Sequence, residues 1–274
     1  MIKDILHFVE RQLWSRRAYK FVQNRWTGLA DMDALADVLS TMRTSRDLKP
    51  IELEFPAAKN IVVLAPHPDD EVIGPGGTLI GGIERGCRVT VIYLTSGSSK
   101  STRAEIRENE ALEAAALMGF ETIFLGLSAL EEHDLKSAAA ILHQHLVDLS
   151  PDIIFTPFLS DDHIEHRKTG EILVRATEMG NGIRNPEIWA YQVYGAVISN
   201  VIVDITTTAE AKASAIRLYE SQMKRRDWAH FALGLNAFNS RFLPGGATRY
   251  AEMYFVLPLS DYCGFCAPYF SKRE

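Results

Sequence analysis

Cysteine is scarce in this chain. Cys87, Cys263 and Cys266 are all it has, an odd number that fits a reducing compartment better than a disulfide framework. The last two show CxxC spacing in "YCGFC", but a zinc ribbon needs two such pairs and only Cys87 is left over. An ordinary tail feature therefore outweighs a redox or metal role for them. Long apolar runs are missing too: none approaches the roughly 20 residues that span a bilayer, and the first 20 residues lack the unbroken apolar stretch of a signal peptide. The expectation is a cytoplasmic protein. Basic residues are outnumbered, 29 against 35 acids, which argues against nucleic acid as the main partner, since phosphate binding needs clustered basic surface. The sequence has neither an internal repeat nor a low-complexity segment. Its "GPGG" matches neither GxGxxG nor GxxxxGK[ST], and the acids before it would repel a nucleotide.

What is present is a chain of 274 residues, 47% hydrophobic, enough for one large α/β domain with an appendage or for two small domains. The net charge of −6 hides an asymmetry. Residues 1–25 carry Lys3, Arg11, Arg16, Arg17, Lys20 and Arg25 against Asp4 and Glu10. With Ile2, Ile5, Leu6, Phe8, Val9, Leu13 and Trp14 at roughly helical spacing, the start reads as a basic amphipathic helix. Such a helix either packs its apolar stripe on the main domain or a second subunit, which is the commoner case, or lies on an anionic membrane with Trp14, Tyr19, Phe21 and Trp26 as anchors. Helices over about 1–22 and 30–43 form an expected N-terminal helical extension, residues 1–50, ahead of a main domain, 51–274.

After the linker "SRDLKPIELEFPAAKN", β-branched runs alternate with helical patterns. The predicted strands are "IVVLA" (61–65), "RVTVIYLT" (88–95), "TIFLGL" (122–127) and "DIIFTPF" (152–158). Between them lie "GGTLIGGIERG", "RAEIRENEALEAAALMG" and "EEHDLKSAAAILHQHLVDLS", each with a period near 3.6, the second closed by Gly119. Further on, "WAYQVYGA" and "NVIVDIT" read as strands, residues 208–238 as a long helical stretch, and "RYAEMYFVL" as a last strand. Continuous apolar strands separated by helices imply an α/β fold: a Rossmann-like, mostly parallel sheet with helices on both faces.

Ligands in such sheets bind at the carboxyl ends of the strands. Two polar clusters fall there, "PHPDDE" after the first predicted strand and "SDDHIEHRKTG" (160–170) after the fourth. Three consecutive acids, Asp69, Asp70 and Glu71, repel one another unless a cation sits among them. His67 and Asp70 are three residues apart, as are His163 and His166. His67, Asp70 and His166 make a two-histidine, one-carboxylate set with open positions for water. Asp69 and His163 are then free for proton transfer, Asp69 as base and His163 as oxyanion support in attack on an amide or ester. Glu71 is expected to hydrogen-bond around the site, and the glycines to let the first helix pack closely on the sheet. Each cluster taken alone also fits a structural histidine or an N-cap; the meeting of the two favours a metal.

"PHPDDEVIGPGG" followed by "DDHIEH" closely resembles the zinc-dependent PIG-L/LmbE-like de-N-acetylases, with their (A/P)HPDDE and HxxH motifs. "RENEALEAAALMG", "YESQ" and "RYAEMYF" extend the resemblance across about residues 59–257. It implies Zn²⁺, or another divalent ion such as Fe²⁺ or Co²⁺, on His67, Asp70 and His166, Asp69 as general base and His163 at the oxyanion. It also implies Arg107 as a substrate contact, and removal of acetyl from an N-acetylglucosamine-type sugar, often joined to a lipid or another scaffold. The chain departs from the family pattern at "TSG" (95–97), where Asp is common in the middle. It departs again at "SALEEHD", which contains His133 and Asp134, and at Glu165, where Asp is usual. Two other readings share the same residues: Fe(II)-dependent oxygen chemistry, which usually goes with a β-barrel framework, and a non-catalytic protein with a vestigial site.

Overall fold

A computed structural model of the chain describes residues 50–97, 103–127, 130, 135–195 and 197–271. The expected helices over 1–22 and 30–43, the proposed membrane anchors among them, and His133 and Asp134 lie outside the described residues.

Among the described residues, eight strands form one sheet. In chain order they are β1 (Ile51–Leu53), β2 (Asn60–Ala65), β3 (Arg88–Thr95), β4 (Glu121–Leu127), β5 (Ile153–Pro157), β6 (Glu187–Tyr191), β7 (Val201–Asp204) and β8 (Ala251–Pro258). Their spatial order is β1-β7-β8-β6-β5-β2-β3-β4. Every pairing is parallel except those of β8, which runs antiparallel to both β6 and β7. Strand β2 lies between β3 and β5, with Ile61 opposite Val89 on one side and Ile153 on the other. The chain proceeds from β2 outward through β3 and β4, then returns to place β5 on the other flank. That reversal opens a crevice beyond the carboxyl ends of β2 and β5.

The four predicted strands and the helices between them are present: α1 (Asp70–Ile73), α2 (Gly76–Glu84), α3 (Ala104–Met118) and α4 (Leu135–Leu149). They are joined by α5 (Ile164–Glu178), α6 (Ala209–Arg217), α7 (Glu220–Met223), α8 (Trp228–Asn239) and α9 (Leu259–Ser271). Gly119 caps α3 in the left-handed region, φ 85°, its N–H bonding Ala115 O. The alternation of the strands splits the core in two. Ile61, Val63, Val89, Val91 and Tyr93 pack with residues of α1, α2, α3, α6 and α8. Val62, Leu64, Ile92 and Leu94 pack with α4, α5 and α9 on the other face. Side chains of a strand buried on both faces are apolar at every position, so these strands read as continuous runs.

Three elements depart from the sequence reading. "IEL", placed in the linker, is the edge strand β1; it is only three residues long and wholly exposed, so it shows no burial pattern. The long helical stretch over 208–238 is broken into α6, α7 and α8. Tyr219 leaves helical geometry to place its hydroxyl on the Glu71 carboxylate, and Asp227 restarts the helix by accepting the His230 N–H at 3.0 Å. Beyond the last predicted strand, α9 carries the CxxC pair. Cys266 is fully buried and burial pushes both thiols up, so neither is a ready thiolate. No helix among the described residues is long and apolar enough to cross a membrane.

The GPGG glycines are packing residues, as expected. A Cβ on Gly74 would come within 2.4 Å of the Tyr191 ring, and one on Gly77 within 2.8 Å of Ile205. The N-terminus of α2 is held by Glu252, whose carboxylate accepts the N–H groups of Gly77 (2.9 Å) and Thr78 (2.8 Å) and pairs with buried Lys212 at 2.6 Å. Gly77→Ala is therefore expected to destabilise by about 1–3 kcal/mol through overpacking. Gly234→Ala, inside α8 with open space around it, should gain up to about 1 kcal/mol. Denaturant midpoints of the two variants check both signs.

Candidate metal centre

Two loops meet at the crevice. The first leaves β2 as Pro66–Asp70 and enters α1; the second leaves β5 and enters α5 at His163. They bring His67, His163 and His166 together, with one ring nitrogen from each lying within 4.8 Å of the others. The His163 ring is 5.1 Å from that of His67 and 5.0 Å from that of His166. Asp70 Oδ2 sits between two of them, 3.2 Å from His67 Nδ1 and 3.3 Å from His166 Nε2. Asp69, the remaining acid of the predicted set, is beside them but turned away, 3.0 Å from Arg107.

Local strain sets that division. Asp69 has φ 123° and ψ −25°, a conformation rare for a residue with a Cβ and costing about 1–3 kcal/mol. Its backbone N–H donates to Glu71 Oε2 at 3.0 Å, and Tyr219 donates to the other Glu71 oxygen. Glu71 thus braces the loop from behind, as expected, and is fully buried. Arg107, on α3, donates to Gly97 O at 2.9 Å and to Pro68 O, so its guanidinium ties the loops after β2 and β3 together. Gly97 (φ 57°) must lack a side chain, because a Cβ there would stand 2.1 Å from Arg107 Nη1.

Several contributors were not singled out in the sequence. Asp161 is almost wholly buried and lies 3.1 Å from His166 Nδ1. Its carboxylate accepts backbone N–H groups from His163 (3.0 Å), Tyr194 (3.0 Å) and Gly195 (3.1 Å). A carboxylate on the outer nitrogen of an imidazole fixes its tautomer and orientation, an arrangement typical of metal-ligating histidines. The signal available was the first acid of "DDHIEH". Glu165, noted only as a departure, contacts His67 Nε2 and accepts the Leu130 N–H at 2.7 Å. His163 Nδ1 accepts the Glu165 N–H at 3.3 Å and caps α5, which leaves the proton of the neutral ring on Nε2.

The electrostatics follow from this crowding. Burial alone would lower the histidine pKa values, but hydrogen bonds to Asp70 and Glu165 and the charge on Asp70 outweigh it at His67, raising it to about 9. Asp70 and Asp161 do the same at His166, raised to about 10. His163 moves the other way, lowered by burial and by the charges on His166 and His67. Burial would raise Asp70, yet the two histidines hold it far below the usual carboxylate range. For Asp69 burial prevails over the opposing Arg107 charge, and its pKa is pushed up to about 7.

The donor set fits a divalent cation. The buried Asp70 Oδ1 has no hydrogen-bond partner, nor does either His166 ring nitrogen make a well-directed bond. Imidazole nitrogens beside a carboxylate oxygen suit Zn²⁺ and neighbouring divalent ions. Because His67 and His166 are protonated at neutral pH without a cation, ion uptake at pH 7 should release about two protons and weaken as pH falls. Calorimetry of Zn²⁺ binding in buffers of different ionisation enthalpy counts those protons; zero release would contradict the assignment of both rings.

With this geometry in place, similarity to other proteins becomes informative. Residues 62–177 match the family model described as "PIG-L: GlcNAc-PI de-N-acetylase". Diacetylchitobiose deacetylase of Thermococcus kodakarensis is 26% identical over 247 residues, covering 79% of this chain and 89% of that protein. A probable N-acetyl-alpha-D-glucosaminyl L-malate deacetylase 2 of Bacillus subtilis is 25% identical, covering 60% and 83%. The structure of N,N'-diacetylchitobiose deacetylase from Pyrococcus horikoshii superposes with a TM-score of 0.64 at 25% identity, over 84% of this chain and 94% of that one. The matched segment, residues 62–177, holds both loops, His67 through Asp70 and His163 through His166, and is a PIG-L (LmbE-like) deacetylase family domain.

Proposed function

We propose that this protein is a metal-dependent hydrolase that removes the acetyl group from an N-acetylglucosamine-type amino sugar or a conjugate of one. The observation that carries the reading is the meeting of three imidazoles with the half-unsatisfied Asp70 carboxylate, beside a second buried carboxylate, Asp69, that stands outside that set. The names of its relatives, deacetylases of N-acetylated sugars, support it.

His67, Asp70 and His166 are the residues that would hold Zn²⁺, with Fe²⁺ or Co²⁺ as other ions the same donors accept. When bound, the ion supplies a Lewis acid for the amide carbonyl and brings the pKa of a water toward neutrality. Asp69 acts as general base: with a pKa near 7 it can take a proton from the attacking water and return it to the leaving amine. His163 offers its Nε2–H to the oxygen that gains negative charge. Asp161 and Glu165 keep the His166 and His67 rings in orientation.

Arg107 has a double role in this reading. Its two terminal nitrogens hold Asp69 and the loops, and this places the guanidinium beside the base, at the edge of the space a substrate would occupy.

The first test is acetate release from N-acetylglucosamine conjugates, with and without chelation of the bound metal; release that survives complete metal removal would sink the proposal. Asp69→Asn should keep its metal content and lose about 10²–10⁴-fold in kcat, and unchanged turnover would remove Asp69 from the role of base. The sign of the pH dependence is fixed as well. Asp69 is protonated and inactive below its pKa, so kcat/KM should climb as pH rises through neutrality. The Arg107 charge lowers that pKa, so Arg107→Ala should move the midpoint upward, whereas a cation in the site moves it downward.

A further inference from the structure

An aromatic wall leads away from the metal centre. The Tyr194 ring stacks on His166, with centroids 5.2 Å apart and a 27° interplanar angle, and meets Trp228 edge-on at 5.4 Å. Trp228, the first residue of α8, lies 6.3 Å from Phe231. The guanidinium of Arg226 sits over both of these rings, 5.3 Å from Trp228 and 5.5 Å from Phe231. The wall is open to solvent: Tyr194 is 39% exposed and Phe231 52%, and Lys224 and Arg226 are exposed.

Along its rim Lys224, Arg225 and Arg226 outnumber the one acid, Asp227. Among the described residues no carboxylate pairs with Lys224 or Arg226. Asp227, next in sequence, turns its carboxylate to the His230 N–H. A neutral second sugar would need bare ring faces for stacking, but Arg226 already covers a face of Trp228 and of Phe231. A guanidinium set over aromatic rings keeps N–H donors free for a carboxylate or phosphate, which it can receive in bidentate fashion.

We propose that Arg226, set over Trp228 and Phe231 at the far end of the wall that Tyr194 begins, with the exposed Lys224 two residues before it, forms a subsite for an anionic group on the aglycone. The preferred substrate is then an N-acetylated amino sugar joined to a carboxylate- or phosphate-bearing group. This rests on the deacetylase reading above and adds the chemistry of the substrate's far end.

The test compares three N-acetylglucosamine glycosides of one anomer that differ only in aglycone, methyl, carboxymethyl and 2-phosphoethyl, on the zinc-loaded full chain. At least one anionic glycoside should exceed the methyl glycoside in kcat/KM by about tenfold or more, with the ratio shrinking as salt is raised. Arg226→Glu should bring that ratio to about one or below. The better of the two anionic aglycones distinguishes carboxylate from phosphate. Equal kcat/KM for all three glycosides overturns the subsite. So does an Arg226→Glu variant that lowers all three in proportion, as a merely structural residue would. If no glycoside releases acetate, the deacetylase reading fails. The subsite is then judged by calorimetric binding of the same glycosides to wild type and Arg226→Glu: a preference for the anion that the variant loses keeps it, and equal affinities remove it.

Discussion

The architecture around the site is governed by one electrostatic constraint: five carboxylates, those of Asp69, Asp70, Glu71, Asp161 and Glu165, are drawn together out of water at the end of one sheet. Isolated, each would be expensive to bury. Each is answered by a specific group. Arg107 answers Asp69, the Tyr219 hydroxyl and the Asp69 N–H answer Glu71, and three backbone N–H groups with His166 answer Asp161. Glu165 has His67 and the Leu130 N–H. One oxygen of Asp70 is left over, on the carboxylate whose other oxygen lies 3.2 Å from His67 Nδ1 and 3.3 Å from His166 Nε2. The balance of the cluster is short of positive charge at one point, and a cation placed there completes it.

The sheet makes this concentration possible. The reversal of strand order at β2 opens the only kind of gap in a doubly covered sheet where two loops can face each other without a helix between them. The loop after β2 supplies His67, Asp69 and Asp70, the loop after β5 supplies Asp161, His163 and His166, and the β3–α3 region supplies Gly97 and Arg107. None of these loops is held by its own hydrogen bonds alone. Arg107 spans two of them, Glu71 ties the first to Tyr219, and Asp161 ties the second to the chain after β6. Precise placement of catalytic groups needs such outer supports as much as it needs the groups themselves.

How much of this was legible in the sequence differs by kind of feature. The central strands declared themselves, because burial on both faces leaves an unbroken β-branched run such as "NIVVLA". The short edge strand "IEL" buries nothing and left no trace. The single long helix read over 208–238 is three helices, since a tertiary bond from Tyr219 to Glu71 overrides local helical preference there. At the site, the spacing of His67 with Asp70 and of His163 with His166 was readable because those pairs are local in the chain. Asp161 was visible only as an acid before the HxxH segment, and its role depends on N–H groups donated from residues 194 and 195. The partnership of Arg107 with Asp69, and the aromatic path through Tyr194 and Trp228, join residues far apart in sequence and carry no local periodicity.

The position of β8 has a consequence for how the molecule is made. This strand is the last of the eight in chain order, yet it lies inside the sheet between β6 and β7, and its Glu252 carboxylate caps α2, the second helix after the His67–Asp70 loop. Until β8 has been made, β6 and β7 have no strand between them, and Lys212 lacks its counter-charge, Glu252. The family-matching segment ends at residue 177, so a growing chain that already holds every residue of the candidate metal centre still lacks the strand that caps α2 behind its first loop. Such late, non-local closure is slow in folding terms. It makes assembly of the site wait for the arrival of residues 251–258.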